Sequence, residues 1–170
     1  MKEILLEAFR HHAWANKPLF ATCRGLPPEQ LRVPGTAGTD RGLLAIFSHI
    51  TRSDRGYVSL HGERPDWVEK AEDTADLDEL ERRADENAQV WERFLSQPLE
   101  ATKRILLDQG AYEAEQSVLV VQALHHGNAH REQICAIPTG LGVEPPDIQA
   151  WAYAAATGHA RERSPTTGLS

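Results

Sequence analysis

The sequence contains no long apolar run and few cysteines, and each of these shortages excludes a class of protein. No apolar stretch approaches the roughly 20 residues that a membrane-spanning helix needs. The N-terminal segment MKEILLEAFRHHAWANK lacks the continuous apolar core of a signal peptide. The two cysteines, Cys23 and Cys135, lie far apart and form no CxxC motif, so we expect reduced thiols and no disulfide framework. These features predict a cytoplasmic protein that does not bind a membrane.

The chain also has fewer basic than acidic residues. The chain has 18 lysines and arginines against 25 acidic residues, which gives a formal net charge of -7. Nucleic-acid binding requires basic side chains clustered on one face, whereas the central pair Arg82 and Arg83 is flanked by acids, so we expect no nucleic-acid partner. The length and the hydrophobic content of 41% are typical of one globular domain. We place this domain at residues 1–157 and a flexible polar tail at residues 158–170.

Apolar residues recur at helical spacing in four long segments. These span about residues 1–24, 41–60, 75–96 and 114–138. Pro18 is expected to kink the first segment, and Pro138 and Gly140 to end the fourth. Thr39 or Asp40 is expected to cap the second.

The rest of the chain offers little regular structure. Residues 97–110 show no helical stripe and are expected to be extended, but no convincing strand pairing is evident. A short helix is expected after the segment VEPPD. The pattern therefore predicts an all-α protein, a four-helix bundle with a short extra C-terminal helix.

Three histidines lie close together in the fourth predicted helix, within the segment ALHHGNAHREQI. His126 and His130 are four residues apart on the apolar stripe, so their Cβ atoms lie about 6 Å apart on one face. This spacing is used in helical zinc sites. His125 points about 100° away and is predicted to lie at the surface.

A metal site with one open position needs a third protein ligand. His49, on the inner face of the second predicted helix, is the first candidate, and His12 on the first helix is the alternative. Asp54 follows His49 by five residues and points about 140° away, which makes it a poor ligand. Buried histidines can also be satisfied by hydrogen bonds within a core, so the pattern alone leaves both interpretations open.

Three polar residues surround the proposed ligands on the fourth predicted helix. Gln122 and Gln133 lie within about a turn of the histidines, and we expect them to orient the second ring nitrogens. Arg131 is predicted to turn outward and form a surface salt bridge.

Three stretches, taken together, resemble the DinB/YfiT-like family of metal-binding four-helix bundles, which is unrelated to the DNA polymerase that shares the DinB label. They are AWANKPLFATCRGLPPEQL, TDRGLLAIFSHI, and HHGNAHREQI followed by LGVEPPDIQAWAY. The resemblance spans about residues 13–153. No single motif is highly specific, but the order and spacing of the three are.

The resemblance implies that His49, His126 and His130 hold one divalent ion, with zinc or nickel favoured and manganese or iron as alternatives. It also implies a helix order other than simple up-down-up-down, and a homodimer. Ala129 and Glu132 depart from the family pattern without touching the proposed ligands.

Characterised relatives include transferases that use bacillithiol, mycothiol or glutathione. The leading hypothesis is therefore a metal-dependent thiol S-transferase that joins a low-molecular-weight thiol to a small electrophilic substrate. A metal-dependent hydrolase is an alternative that uses the same ion. Another is a non-catalytic, metal-stabilised module that binds a small ligand or dimerises in a stress response.

Overall fold

The computed structural model describes residues 2–34, 41–60, 64–69 and 75–161. Within these residues the chain forms six α-helices and one β-hairpin. The elements are α1 (Lys2–Trp14), α2 (Asn16–Arg24), α3 (Leu43–Ser59), α4 (Leu77–Ser96), β1 (Arg104–Leu107), β2 (Tyr112–Glu115), α5 (Gln116–Gly140) and α6 (Ala150–Ala156). A 3-10 turn at Asp66–Val68 precedes α4. The predicted caps Thr39 and Asp40 lie outside the described residues.

The fold is all-α apart from the small hairpin, as the apolar spacing predicts. The consecutive helices α1 and α2 together form the first rod of a four-rod bundle, and they pack against both α4 and α5. Helix α3 also packs against both α4 and α5. This order differs from simple up-down-up-down, as the family resemblance implies. Among the described helices, none combines the length and the apolar character that crossing a membrane requires.

Two clusters of buried apolar side chains fill the bundle at different levels. The first lies between α2, α3, α5 and the start of α4, where the rings of Phe20 and Phe47 stack at 4.2 Å. The second lies between α1, the end of α4 and the start of α5, where Phe9 meets Trp91 at 4.4 Å. Along α5, residues 125–133 separate the two clusters, so polar side chains enter the bundle at this level.

The first rod breaks at Ala15 and not at the predicted position, Pro18. Helix α2 begins at Asn16, which puts Pro18 in its first turn. Backbone N–H groups in a first turn have no partner within the helix, so proline loses no hydrogen bond there. The carbonyl that the proline ring would contact belongs to Trp14, where α1 ends.

The hairpin corrects the expectation that no strands pair. Strands β1 and β2 are antiparallel, with Ile105 opposite Ala114, and α5 begins at Gln116 and not near Ala114. The connecting turn uses left-handed backbone at Asp108, Gln109 and Gly110 (φ 47°, 58° and 93°). Because each strand has only four residues and little of it is buried, the alternation that reveals a strand in a sequence is too short to detect.

The end of α5 is close to the prediction, although Pro138 does not terminate the helix. Pro138 lies inside α5, which continues to Gly140. The backbone N–H of Leu141 then donates to the carbonyls of Ile137 at 3.2 Å and Pro138 at 2.9 Å, so the last turn closes directly after the proline.

The predicted C-terminal helix is present as α6 and packs on α1. The hydroxyl group of Tyr153 donates a hydrogen bond of 2.6 Å to the carboxylate of Glu7, and Nε2 of His11 donates to the carbonyl of Ile148 at 2.9 Å. Most of the predicted tail lies outside the described residues, so the boundary after residue 157 stays a prediction.

Candidate metal centre

Close packing of α3 against α5 brings three histidine rings together. His49 lies on α3, and His126 and His130 lie one turn apart on α5. Each ring offers one nitrogen, and these three nitrogens lie within 4.8 Å of one another. The Nε2 atoms of His49 and His126 are 3.0 Å apart. These separations are compatible with ligands of a single ion, and we call the three residues the histidine triad.

The surroundings of the triad favour neutral imidazole rings. Burial, together with the neighbouring His130 and His49, lowers the pKa of His126 to about 4. Burial also lowers the pKa of His49, and the electrostatic effect of the neighbouring His130, Arg41 and Arg52 acts in the same direction. Since neutral imidazole is the form that binds a metal ion, two of the rings are ready to act as ligands at neutral pH.

Gln133 holds the ring of His130 in one orientation. The two are half-buried neighbours on α5, and the ring Nδ1 donates to Oε1 of Gln133 at 2.7 Å. This bond leaves the lone pair of the other ring nitrogen for the triad. Gln122, which the sequence offers as a second orienting residue, instead reaches the hydroxyl group of Tyr57 at 3.5 Å. The ring of Tyr57 meets His126 edge-on, with 5.9 Å between centroids.

A cavity of about 1170 Å³ lies beside the triad. Helix α3 forms one wall, which includes His49 and Tyr57, and the first turns of α5 form another, which includes Gln122. The hairpin and the 3-10 turn complete the lining. The histidine side chain that α3 contributes is therefore accessible to a ligand in this cavity.

His12, the alternative third ligand, lies outside the triad. Its ring is buried in α1, with Nε2 at 3.4 Å from Oδ1 of Asp54 and Nδ1 at 3.2 Å from the guanidinium of Arg131. Asp54 also accepts a hydrogen bond of 2.8 Å from the indole of Trp91. Asp54 thus contacts α1 and α4 and not the triad, in line with its predicted direction on the helix.

Arg131 does not form the surface salt bridge that the sequence predicts, because its side chain is only 1% exposed. Its guanidinium donates to the carbonyl of His12 at 3.2 Å and to the side-chain oxygens of Asn16 at 3.4 Å and Asn128 at 2.5 Å. Burial lowers its pKa to about 10, so the group is charged at neutral pH. These contacts join α1 to α5. We call His12, Asp54, Trp91 and Arg131, with the two asparagines, the buried polar network.

Two features of the sequence signal this network. Gly127 lies in the middle of a 25-residue helix, one turn before Arg131, where a residue without a side chain makes room for another group. Asn16, in the Trp-Ala-Asn element of the first rod, supplies one acceptor. His125, in contrast, is exposed as predicted.

A comparison with known proteins agrees with the resemblance read from the motifs. A search of curated proteins finds no match. The family model described as the DinB family matches residues 1–164, which is nearly the whole chain. The chain therefore belongs to the DinB family.

Proposed function

We propose that this protein is a metal-dependent enzyme in which the histidine triad holds one divalent cation. The observation that carries the proposal is the set of three imidazole nitrogens within 4.8 Å, next to a cavity of about 1170 Å³. Nitrogen ligands suit zinc and nickel better than calcium or magnesium, which prefer oxygen. Three protein ligands leave a coordination position open for a reactant.

The reaction that we propose is transfer of a low-molecular-weight thiol to a small electrophile. A divalent cation in the triad would lower the pKa of a thiol at the open position and keep it as thiolate. The thiol proton passes to water, the sulfur forms a bond to the electrophilic carbon, and the leaving group departs with its electron pair. Gln133 contributes by fixing the ring of His130. The cavity exceeds the size of most small-molecule sites, so it has room for both reactants.

The metal site is tested by a matched pair of variants on adjacent residues of α5. His126→Ala removes a proposed ligand, and His125→Ala removes an exposed histidine from the same helix. Elemental analysis of protein purified without an affinity tag should find about one zinc or nickel ion per chain in the wild type and in His125→Ala. It should find almost none in His126→Ala. Full metal content in His126→Ala would refute the site.

The reaction is tested separately on protein with measured metal content. We expect conjugation of a chloronitrobenzene electrophile with bacillithiol, mycothiol or glutathione, and loss of that activity on chelation and in His126→Ala. A metal-loaded protein that conjugates none of these thiols would contradict the transferase while leaving the metal site intact. The homodimer stays a prediction, which light scattering coupled to size-exclusion chromatography would test.

A further inference from the structure

Arginines outnumber acids among the described residues that line the cavity beside the triad, although the chain as a whole has a net charge of -7. Among the described residues that line it, three are arginines, Arg41, Arg52 and Arg64, and two are acids, Glu69 and Asp108. Arg64 and Glu69 form an ion pair with each other. Of the other two arginines, Arg41 lies just before α3 and Arg52 lies within it.

Arg52 is the described lining arginine that lies on the same helix as His49. It follows His49 by three residues, so the two side chains share a face of α3. Its Nε and Nη2 atoms donate to the carbonyl of Val68 at 3.1 Å and 2.9 Å. These bonds to the 3-10 turn fix the orientation of the guanidinium, but a carbonyl does not neutralise its charge. Within the described parts of the chain, no carboxylate contacts Arg52.

The hairpin and α5 contribute large apolar side chains to the cavity lining. Leu106 of β1 and Val118 of α5 line it, and their exposed fractions are 66% and 54%. Large apolar side chains that face a cavity gain free energy when an apolar ligand covers them. The cavity lining thus combines a fixed cation on α3 with apolar side chains on β1 and α5.

We infer that the electrophilic substrate is a small carboxylate with an apolar portion, whose carboxylate pairs with Arg52 while its apolar portion lies on Leu106 and Val118. The inference rests on the proposed function, since it assigns this ligand to the reaction at the triad. A low-molecular-weight thiol is a strongly polar molecule and would leave these apolar side chains uncovered. The electrophile is therefore the reactant that this surface suits.

The test is isothermal titration of the metal-loaded protein with octanoate, and with 1-octanol and acetate as probes that lack one of the two features. We expect saturable binding of octanoate, with at least tenfold weaker binding of the other two. Arg52→Gln should weaken octanoate binding about tenfold or more, because it removes a charge-assisted hydrogen bond, and should leave 1-octanol unchanged. Arg93→Gln, at an exposed position on α4, is the matched control and should bind octanoate as the wild type does. Equal octanoate affinity in Arg52→Gln and wild type would overturn the inference.

A second variant keeps the test independent of any folding defect in Arg52→Gln. Leu106→Ser changes an exposed side chain and should weaken octanoate while leaving acetate unchanged. Unchanged octanoate binding in this variant would contradict the apolar contact.

Titration of chelator-treated protein separates this inference from the proposed function. Octanoate should still bind, because the arginine and not the ion holds its carboxylate. Loss of binding on chelation would place the carboxylate on the metal and overturn the inference. Retention of metal in His126→Ala, in contrast, would refute the proposed function whatever the octanoate result.

Discussion

Gly127 provides the sharpest test of the packing beneath the triad. A Cβ atom at this position would lie far inside van der Waals contact with Cε1 of His12, and 3.1 Å from both Nδ1 of His12 and Nη1 of Arg131. The His12 ring is 4% exposed and is fixed by its contacts with Asp54 and Arg131, so it cannot move away freely. We therefore expect Gly127→Ala to destabilise the protein.

The expected size follows from three opposing contributions. Replacing glycine by alanine in the interior of a helix stabilises it by about 1 kcal/mol. Overpacking a core costs about 1–3 kcal/mol, and disturbing a buried hydrogen-bonded group costs about 1–3 kcal/mol more. The net effect is a loss of about 1–5 kcal/mol. For a domain of this size, that loss lowers the Tm by about 2–20 °C.

Gly56 on α3 gives a matched control, since within the described part of the chain, apart from its chain neighbours and the backbone of its own helix, no atom lies within 4 Å of the Cβ that alanine would add there. Gly56→Ala should stabilise the protein by about 0.5–1 kcal/mol, the opposite sign. Urea unfolding of both variants measures the difference. A His12→Ala background removes the contacts with the His12 ring and leaves only the 3.1 Å contact with Arg131, so adding Gly127→Ala should cost much less. A Gly127→Ala protein as stable as Gly56→Ala would refute the described contact between α1 and α5.

Two further predictions concern how the stability of the protein responds to metal removal and to low pH. A chelator should lower the Tm by several degrees, because an ion present at 100 times its dissociation constant stabilises the folded state by about 2.7 kcal/mol, and His126→Ala should show no such shift. Hydrogen bonds from Arg82, followed by those from Arg83, hold the pKa of Glu79 near 2, against an ordinary value of 4.5. The folded carboxylate thus stabilises the protein above pH 4.5, and this stabilisation is lost as the pH falls towards 2. Since Glu79 is about one-third exposed, Glu79→Gln should lower the free energy of unfolding by about 1 kcal/mol or less at pH 7. Plotted against pH, the free energies of unfolding of the variant and the wild type should converge near pH 2. Curves that stay parallel over this range would contradict the assigned role of Glu79.

Local pattern explains what could be read from the sequence. The apolar spacing predicted the helices, because each rod buries one face. His126 and His130 are separated by one turn of the same helix, so their common direction needs no knowledge of the fold. The choice between His49 and His12 as their neighbour depends on which helix packs against that face of α5. The sequence favours His49 and keeps His12 as the alternative, but it does not show that packing.

The burial of Arg131 could not be predicted from local pattern. Its acceptors on α1 and α2, His12 and Asn16, come from residues more than 100 positions earlier in the chain. A basic residue that follows a histidine on a helix resembles any surface position until those partners are known. The hairpin was missed for a related reason, since four-residue strands depend on their pairing more than on their own composition.

The polar segment of α5 between the two apolar clusters, residues 125–133, also restricts how α5 can align with the neighbouring helices. A slide of one helical turn, 5.4 Å, would move the guanidinium of Arg131 away from its acceptors on α1 and α2. Breaking a buried charge away from its partners costs about 3–5 kcal/mol, so only one alignment keeps this group satisfied. That same alignment sets His126 and His130 at the height of His49. Arg131 thereby fixes the position of α5 that aligns the three rings, although its side chain bonds to His12, Asn16 and Asn128 and not to the triad.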